Sequence, residues 1–216
     1  MKLSEQQIQI IETALIEKCE FHNFDDVRIE LVDHIATEIE AEIETDNLTF
    51  ESAFVKVMHR WNPIILPKSW SRYENVPYIV CKLWKKLDWK YNYSSIPLTL
   101  LIGYVLLQFK QEKVAAFAMY GIAFIGVLVG IYLIKLQRSN QFNTVLSMYA
   151  GMNLYYIVFL LVLGIGVNFG LNIYDGDYAS TPALWVIVHC TIILIFRTIL
   201  MRKNITIENQ LLKVSS

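Results

Sequence analysis

Four long uncharged stretches lie between Ile96 and Met201, separated only by short polar breaks. One of them, Val114 to Ile134, has 21 residues without a charge. At about 1.5 Å per residue, a helix of that length covers the roughly 30 Å hydrocarbon core of a bilayer. The whole chain is 55% hydrophobic, which is too apolar for an ordinary soluble domain. The pattern therefore predicts an all-α polytopic membrane protein.

The uncharged stretches divide the chain into parts. We expect a four-helix transmembrane bundle over residues 94–201, with spans at about 95–110, 114–134, 150–171 and 182–201. The parts before it are expected to be a small three-helix cytoplasmic domain (1–61), a proline-containing linker (62–75) and an amphipathic interfacial helix (76–93). Residues 202–216 form a polar tail, too short to fold alone, that is either loose or docked on the N-terminal domain.

Charge is distributed unevenly along the chain. Residues 1–75 hold seven Lys and Arg against fifteen Asp and Glu, whereas residues 76–216 hold twelve against five. The start of the chain breaks its apolar positions with charges, unlike a signal peptide, so we expect it to stay on the side of synthesis. The spacing of Cys19, Cys81 and Cys190 indicates neither a zinc site nor a disulfide framework.

The first 61 residues have the periodicity of three amphipathic helices. Ser4 is a plausible cap for the first, which is expected to end near Glu20. The second is predicted from Asp25 to Thr45, where Asp25 and Asp26 suit the positive end of its dipole. Thr49 is placed to cap the third. Three short helices make only a small core.

The segment from Arg28 to Val57 contains the pattern E-L-x-D-H-I-x-x-x-I-E followed by F-x-x-A-F. Its matching positions are Glu30, Leu31, Asp33, His34, Ile35, Ile39, Glu40, Phe50, Ala53 and Phe54. This pattern resembles the N-terminal helical domain of small bacterial membrane proteins related to HAAS-type domains, which are often encoded beside PadR-like transcription regulators. The resemblance implies signalling or regulation at the bacterial inner membrane, and it implies no catalytic residues.

The second predicted helix presents polar side chains at i, i+4 and i+8. Glu30, His34 and Glu38 share one face and could in principle bind a metal, but a solvated face with i,i+4 pairs is the interpretation we favour. We therefore expect no metal and no cofactor. The alternating acidic residues from Glu38 to Asp46 indicate a solubilising surface, with binding of a basic protein as the alternative. The candidate partner face is Glu30, Asp33, His34 and Glu38.

Residues 76–93 carry apolar side chains largely on one helical face and lysines on the other. This arrangement predicts a helix lying among lipid headgroups, and the alternative is a soluble helix packed on the N-terminal domain. The expected headgroup contacts are Lys82, Lys85, Lys86, Lys90, Trp84 and Trp89. Membrane lipid is thus one expected partner.

The flanking lysines and arginines predict the orientation. With both termini in the cytoplasm, the cytoplasmic flanks hold Lys82, Lys85, Lys86, Lys90, Lys135, Arg138, Arg202 and Lys203. The opposite side then holds Lys110 and Lys113. Eight against two favours this orientation, and an even number of spans places both termini on one side.

Polar and small residues inside the spans are the remaining candidates. His189 is the ionisable group deepest in the predicted block, and it could relay a proton or bind a neighbouring helix, for instance at Asn153, Asn168 or Ser147. Arg197 is expected to reach the cytoplasmic surface. The pairs Gly126 with Gly130 and Gly166 with Gly170 permit close helix packing, within one chain or in a homo-oligomer.

No pattern in the sequence indicates catalytic residues or nucleic-acid binding. We therefore expect a non-enzymatic protein that signals, regulates or scaffolds through contacts of its N-terminal domain with a cytoplasmic or membrane protein. A small transporter or permease component, built as an oligomer, is the alternative, although the spans lack paired charges or broken helices for a substrate path. An intramembrane enzyme would need a nucleophile and a base beside His189.

Overall fold

Helices make up nearly all of the secondary structure in the computed structural model, which describes residues 2–70, 73–109, 113–175 and 181–215. The all-α prediction is confirmed, with one two-stranded hairpin added. The chain forms two compact units. The first comprises Met1–Lys85 and Phe142–Val145, and the second comprises Lys86–Gln141 and Leu146–Ser216.

Three helices begin the first unit: α1 (Glu5–Cys19), α2 (Asp25–Asp46) and α3 (Phe50–Ile65). Ser4 and Gln7 form a capping box at the start of α1, in which each side chain bonds the other residue's backbone N–H. Thr49 accepts a hydrogen bond from Ser52 N–H and caps α3. Ser4 and Thr49 therefore cap the two helices that the sequence predicted them to cap.

Apolar side chains from all three helices and from the turn between α1 and α2 form the core of the first unit. These buried residues include Ile11, Leu15, Phe21, Phe24, Leu31, Ile35, Ile39, Ala53 and Val57. Full burial of one large apolar side chain stabilises a fold by about 1.5–3 kcal/mol. Leu31, Ile35 and Ile39, which are spaced four residues apart, thus form the packing face of α2.

The predicted linker after α3 contains regular secondary structure. Pro63 does not end α3, because it lies inside the last turn of the helix. The helix ends at Ile65, and the next residue, Leu66, is extended because Pro67 follows and a residue before proline is disfavoured in the helical region. Pro67–Trp70 (β1) and Tyr73–Pro77 (β2) then pair as an antiparallel hairpin, with Lys68 opposite Val76.

From Tyr78 to Gln108 the chain is helical throughout. Helix α4 (Tyr78–Leu87) is followed by a π-helical segment (Asp88–Tyr93) and by α5 (Ser94–Gln108). In the first unit, α4 buries Val80, Cys81 and Trp84. Its apolar face therefore packs within a protein core.

The second unit is built around the last helix. Its elements after α5 are α6 (Lys113–Arg138), α7 (Val145–Gly151), α8 (Leu154–Asp175) and α9 (Thr181–Ser215). Helix α9 packs against α5, α6 and α8. Because α9 runs to Ser215, the polar tail that follows the predicted fourth span continues the helix.

Among the described residues, three helical segments, not four, are long and apolar enough to cross a membrane: Ala116–Arg138, Val145–Asn168 and Thr181–Lys213. The predicted first span fails on length, because the 15 residues of α5 extend only about 22 Å. Along α6, the exposed side chains of Phe117, Phe124 and Ile131 recur every seven residues. Such an apolar surface is typical of a helix that contacts lipid.

Candidate functional site

Two acidic residues at the start of α2 bind the loop that leads into α7. The backbone N–H of Asp25 donates to Asn143 O (2.7 Å), and its carboxylate accepts from Asn143 N–H (2.8 Å). The carboxylate of Asp26 accepts from Val145 N–H, with its two oxygens at 3.1 and 3.3 Å. All of these residues belong to the first unit. We call residues 142–145 the docked loop.

The Asp26 carboxylate takes the place of a helix cap. Val145 is the first residue of α7, and the first N–H groups of a helix have no partner within the helix. A negative charge is also favoured there by the helix dipole. The sequence predicted a role for Asp26 only at the start of its own helix, because nothing local connects it to residue 145.

Trp84 completes the contact with the docked loop. Its indole N–H donates to Val145 O at 3.0 Å, and its ring packs edge-on against Phe24 and tilted against Tyr73. The side chain is only 4% exposed. Trp84 is therefore not available as the lipid contact that the sequence predicted. It lies on the face of its amphipathic helix that packs into the protein core.

The two acidic residues have different electrostatic environments. Asp25 forms an ion pair with Arg28 at 2.8 Å, and Arg28 also binds Glu12 at 3.1 Å. Burial raises the pKa of Asp26, and the hydrogen bond from Val145 N–H offsets part of that increase. The raised pKa predicts that the stability of the first unit depends on pH through Asp26.

The predicted partner face is only partly free. Glu30, Asp33 and His34 are exposed, with Glu30 and His34 3.8 Å apart, but Glu38 binds Arg60 of α3 at 3.1 Å. Within the described residues, no group of three His, Cys, Asp or Glu side chains could hold a metal.

The acidic run at the end of α2 forms ion pairs with α3. Lys56 lies 2.6 Å from Glu42 and 2.8 Å from Asp46, and its ammonium group lowers the pKa of Asp46. Arg60 also contacts Glu42, at 2.9 Å. These carboxylates thus connect two helices in addition to solubilising the surface.

The predicted lipid contacts other than Trp84 lie on the surface. Lys82, Lys85, Lys86 and Lys90 are exposed, and Trp89 is 76% exposed. Sequence periodicity did not show that Trp84 is buried and that Trp89, five positions later, is exposed.

The polar residues of the second unit do not form one shared site. His189 Nδ1 lies 3.1 Å from Thr99 Oγ1, and Thr99 donates its only hydroxyl proton to Ser95 O (2.8 Å). The His189 ring N–H therefore donates to Thr99. Asn168 instead donates to the Tyr120 hydroxyl at 3.0 Å. Asn153 is exposed and adopts a positive φ of 56° between α7 and α8.

Arg197 is buried and does not extend to the surface as predicted. Its guanidinium group donates to Ala150 O at 3.0 Å and to Met152 O. These carbonyls lie where α7 ends, and such carbonyls have no partner within the helix. Arg197 therefore stabilises the helix break, a role that its sequence context did not indicate.

The two glycine pairs differ in environment. A Cβ at Gly126 would meet Thr191 Oγ1 and lie 3.0 Å from Leu161, and a Cβ at Gly130 would lie 3.2 Å from Val158. A Cβ at Gly166 would meet no atom within 4 Å. The structure does not describe the side-chain environment of Gly170.

Three candidate spans following an N-terminal helical part indicate a multi-pass membrane protein. Comparisons with protein-family models, with curated proteins and with solved structures find no match for this chain.

Proposed function

We propose that this chain is a non-enzymatic regulatory or scaffold protein of the bacterial inner membrane, which acts through contacts of its N-terminal helices with another protein. One observation carries the proposal: Asp25 and Asp26 bind the docked loop, whose last residue begins α7. A partner that displaces α2 would therefore change the hydrogen bonding at the start of a candidate span. The resemblance of residues 28–57 to HAAS-type domains supports the same role.

The docked loop also supports a specific membrane topology. It lies in the same compact unit as α1 to α3, which supports a location on their side of the membrane. Helix α6 ends at Arg138, just before this loop, so α6 crosses toward that side and starts on the other. This arrangement supports one crossing before α6, and α5 is the described helix between Lys86 and Lys113. We propose that α5 is a short fourth crossing.

Four crossings place both termini on one side. Under this arrangement the flanks on the side of the N-terminal helices hold eight of the lysines and arginines counted above, and the other side holds Lys110 and Lys113. The positive-inside rule makes the first side cytoplasmic. Both termini and the docked loop then face the cytoplasm.

The proposed partner surface is the exposed part of the acidic face: Glu30, Asp33 and His34. Glu38 is excluded from it, because its carboxylate binds Arg60. Two exposed carboxylates favour a partner with a basic surface.

Affinity capture of the full-length protein in mild detergent, with mass spectrometry of what binds, tests the proposal. Glu30→Gln combined with Asp33→Asn should release a protein that the parent chain captures. The matched control replaces two other exposed acids, Glu17→Gln with Glu74→Gln, and should retain it. Identical captured proteins for the two double variants would contradict the proposed surface. Solute flux into reconstituted vesicles that is lost with His189→Ala would instead identify a transporter.

A further inference from the structure

The helical segment that connects α4 to α5 has two chemically different sides. On the inner side, Asp88 accepts hydrogen bonds from Tyr149 (2.7 Å) and Asn92 (2.8 Å). Tyr91 packs edge-on against Phe196, with ring centroids 5.8 Å apart. These contacts hold the segment in the second unit and orient its other side outward.

The outer side begins with cations and aromatic rings. Lys86 and Lys90 are exposed, Trp89 is 76% exposed and Tyr93 is 57% exposed. The rings of Trp89 and Tyr93 lie 5.5 Å apart. Asp88 bonds Tyr149 and Asn92 on the inner side, and the Lys90 ammonium lies 5.5 Å from the centroid of the Tyr91 ring.

Further along the same helix the exposed side chains become apolar. Ile96, Leu100 and Tyr104 follow at intervals of three or four residues, and all three are exposed. A sequence of lysine, then Trp and Tyr, then aliphatic residues matches the change from headgroups to hydrocarbon in a bilayer. This order of exposed side chains supports entry of the chain into the membrane along this helix.

We infer that Lys86, Trp89, Lys90 and Tyr93 form a binding surface for the headgroups of anionic phospholipids. The lysines bind the lipid phosphate charge, and the two aromatic rings lie at the level of the headgroups. We call these four residues the headgroup surface. The occupant is lipid because the surface continues into the apolar side chains of α5. This inference rests on the proposed membrane contact of α5 and needs no protein partner.

The test uses the full-length protein reconstituted in phosphatidylcholine bilayers with and without phosphatidylglycerol. Ligand that binds only the folded state raises the unfolding midpoint, so phosphatidylglycerol should raise the midpoint of the parent chain. Lys86→Gln combined with Lys90→Gln should remove most of that increase and leave the midpoint in pure phosphatidylcholine unchanged. Lys86→Arg with Lys90→Arg should retain the increase, and so should the control Lys2→Gln with Lys18→Gln, because both of these lysines lie on the surface of the first unit.

A second measurement locates Trp89. Phospholipids brominated near the headgroup should quench tryptophan fluorescence of the parent chain more than that of Trp89→Phe. An increase in midpoint that is equal in the parent chain and in the Lys86→Gln, Lys90→Gln variant would overturn the inference, as would equal quenching with and without Trp89. A lost partner in the capture experiment leaves both readouts unaffected, so the two proposals fail separately.

Discussion

A single carboxylate, that of Asp26, satisfies the N–H group of Val145 at the start of α7. Val145 is itself buried, so without an acceptor its N–H group loses water and gains no partner. The cost of such a buried unsatisfied donor is about 1–3 kcal/mol. The stability of the first unit therefore depends on Asp26, although its sequence context is typical of an exposed residue.

Asp26→Ala should lower the free energy of opening of the first unit by about 1–3 kcal/mol, because Val145 N–H loses its acceptor. The measurement is the rate at which buried Cys19 reacts with a thiol reagent at fixed pH, which should rise about 5- to 150-fold. Asp33→Ala is the control, since Asp33 is exposed. Equal rates in the two variants would show that the loop contact adds no stability.

The pH dependence of Asp26 has a definite sign. Burial raises its pKa above the ordinary value of 3.8, so the folded state holds the proton more tightly than the unfolded state. The resulting stability is fully present below pH 3.8 and is lost as the pH rises through the raised pKa. Relative to Asp26→Asn, the unfolding free energy of the parent chain should fall over that window in denaturant titrations followed by tryptophan fluorescence. A rise would mean that the hydrogen bond from Val145 outweighs burial.

Helix packing within the second unit distinguishes two glycine pairs that look alike in sequence. Close approach at Gly126 leaves no room for a methyl group between α6 and its neighbours, whereas Gly166 borders open space. The GxxxG spacing therefore has a packing function in α6, and at Gly166 it has none within the described chain.

Gly126→Ala should destabilise the second unit by about 1–3 kcal/mol, because overfilling a packed core forces neighbouring atoms to shift. Gly166→Ala should be neutral or slightly stabilising, since alanine is the better helix former. Thermal unfolding of both variants in the same detergent, followed by reactivity of buried Cys190, compares them directly. A loss of stability at Gly166 alone would indicate that α8 packs against a second copy of the chain.

At the scale of the whole molecule, the proposed topology depends on the short helix α5. Length and composition identify three candidate spans among the described residues, and the proposed crossing by α5 is a fourth. A helix of about 22 Å can cross when residues at its ends, such as Trp89 and Tyr93, occupy the interface or when the bilayer thins locally.

Cysteine substitutions test this topology. Phe109→Cys, just after α5, should react with a membrane-impermeant maleimide added to intact cells, whereas Ser139→Cys, after α6, should react only in inverted vesicles. Thr37→Cys on α2 is the control for the proposed cytoplasmic side, and all three positions are exposed. The native cysteines are buried and should give little background. Labelling of positions 37 and 109 from the same side would rule out a crossing by α5.

The amino-acid sequence by itself determined the helices, their caps and the apolar stretches suited to a membrane. Ser4, Thr49 and the stripe of Leu31, Ile35 and Ile39 act on neighbours within one or two turns, so local spacing is enough to find them.

Only the tertiary structure decided which side of α4 is buried, which group binds His189 and what Asp26 caps. These contacts join residues 61, 90 and 119 positions apart, respectively. Periodicity places a side chain on a face of its own helix, but the partner of that face depends on how distant segments pack together. For that reason Trp84 and Trp89, five positions apart on one helical stretch, have opposite environments.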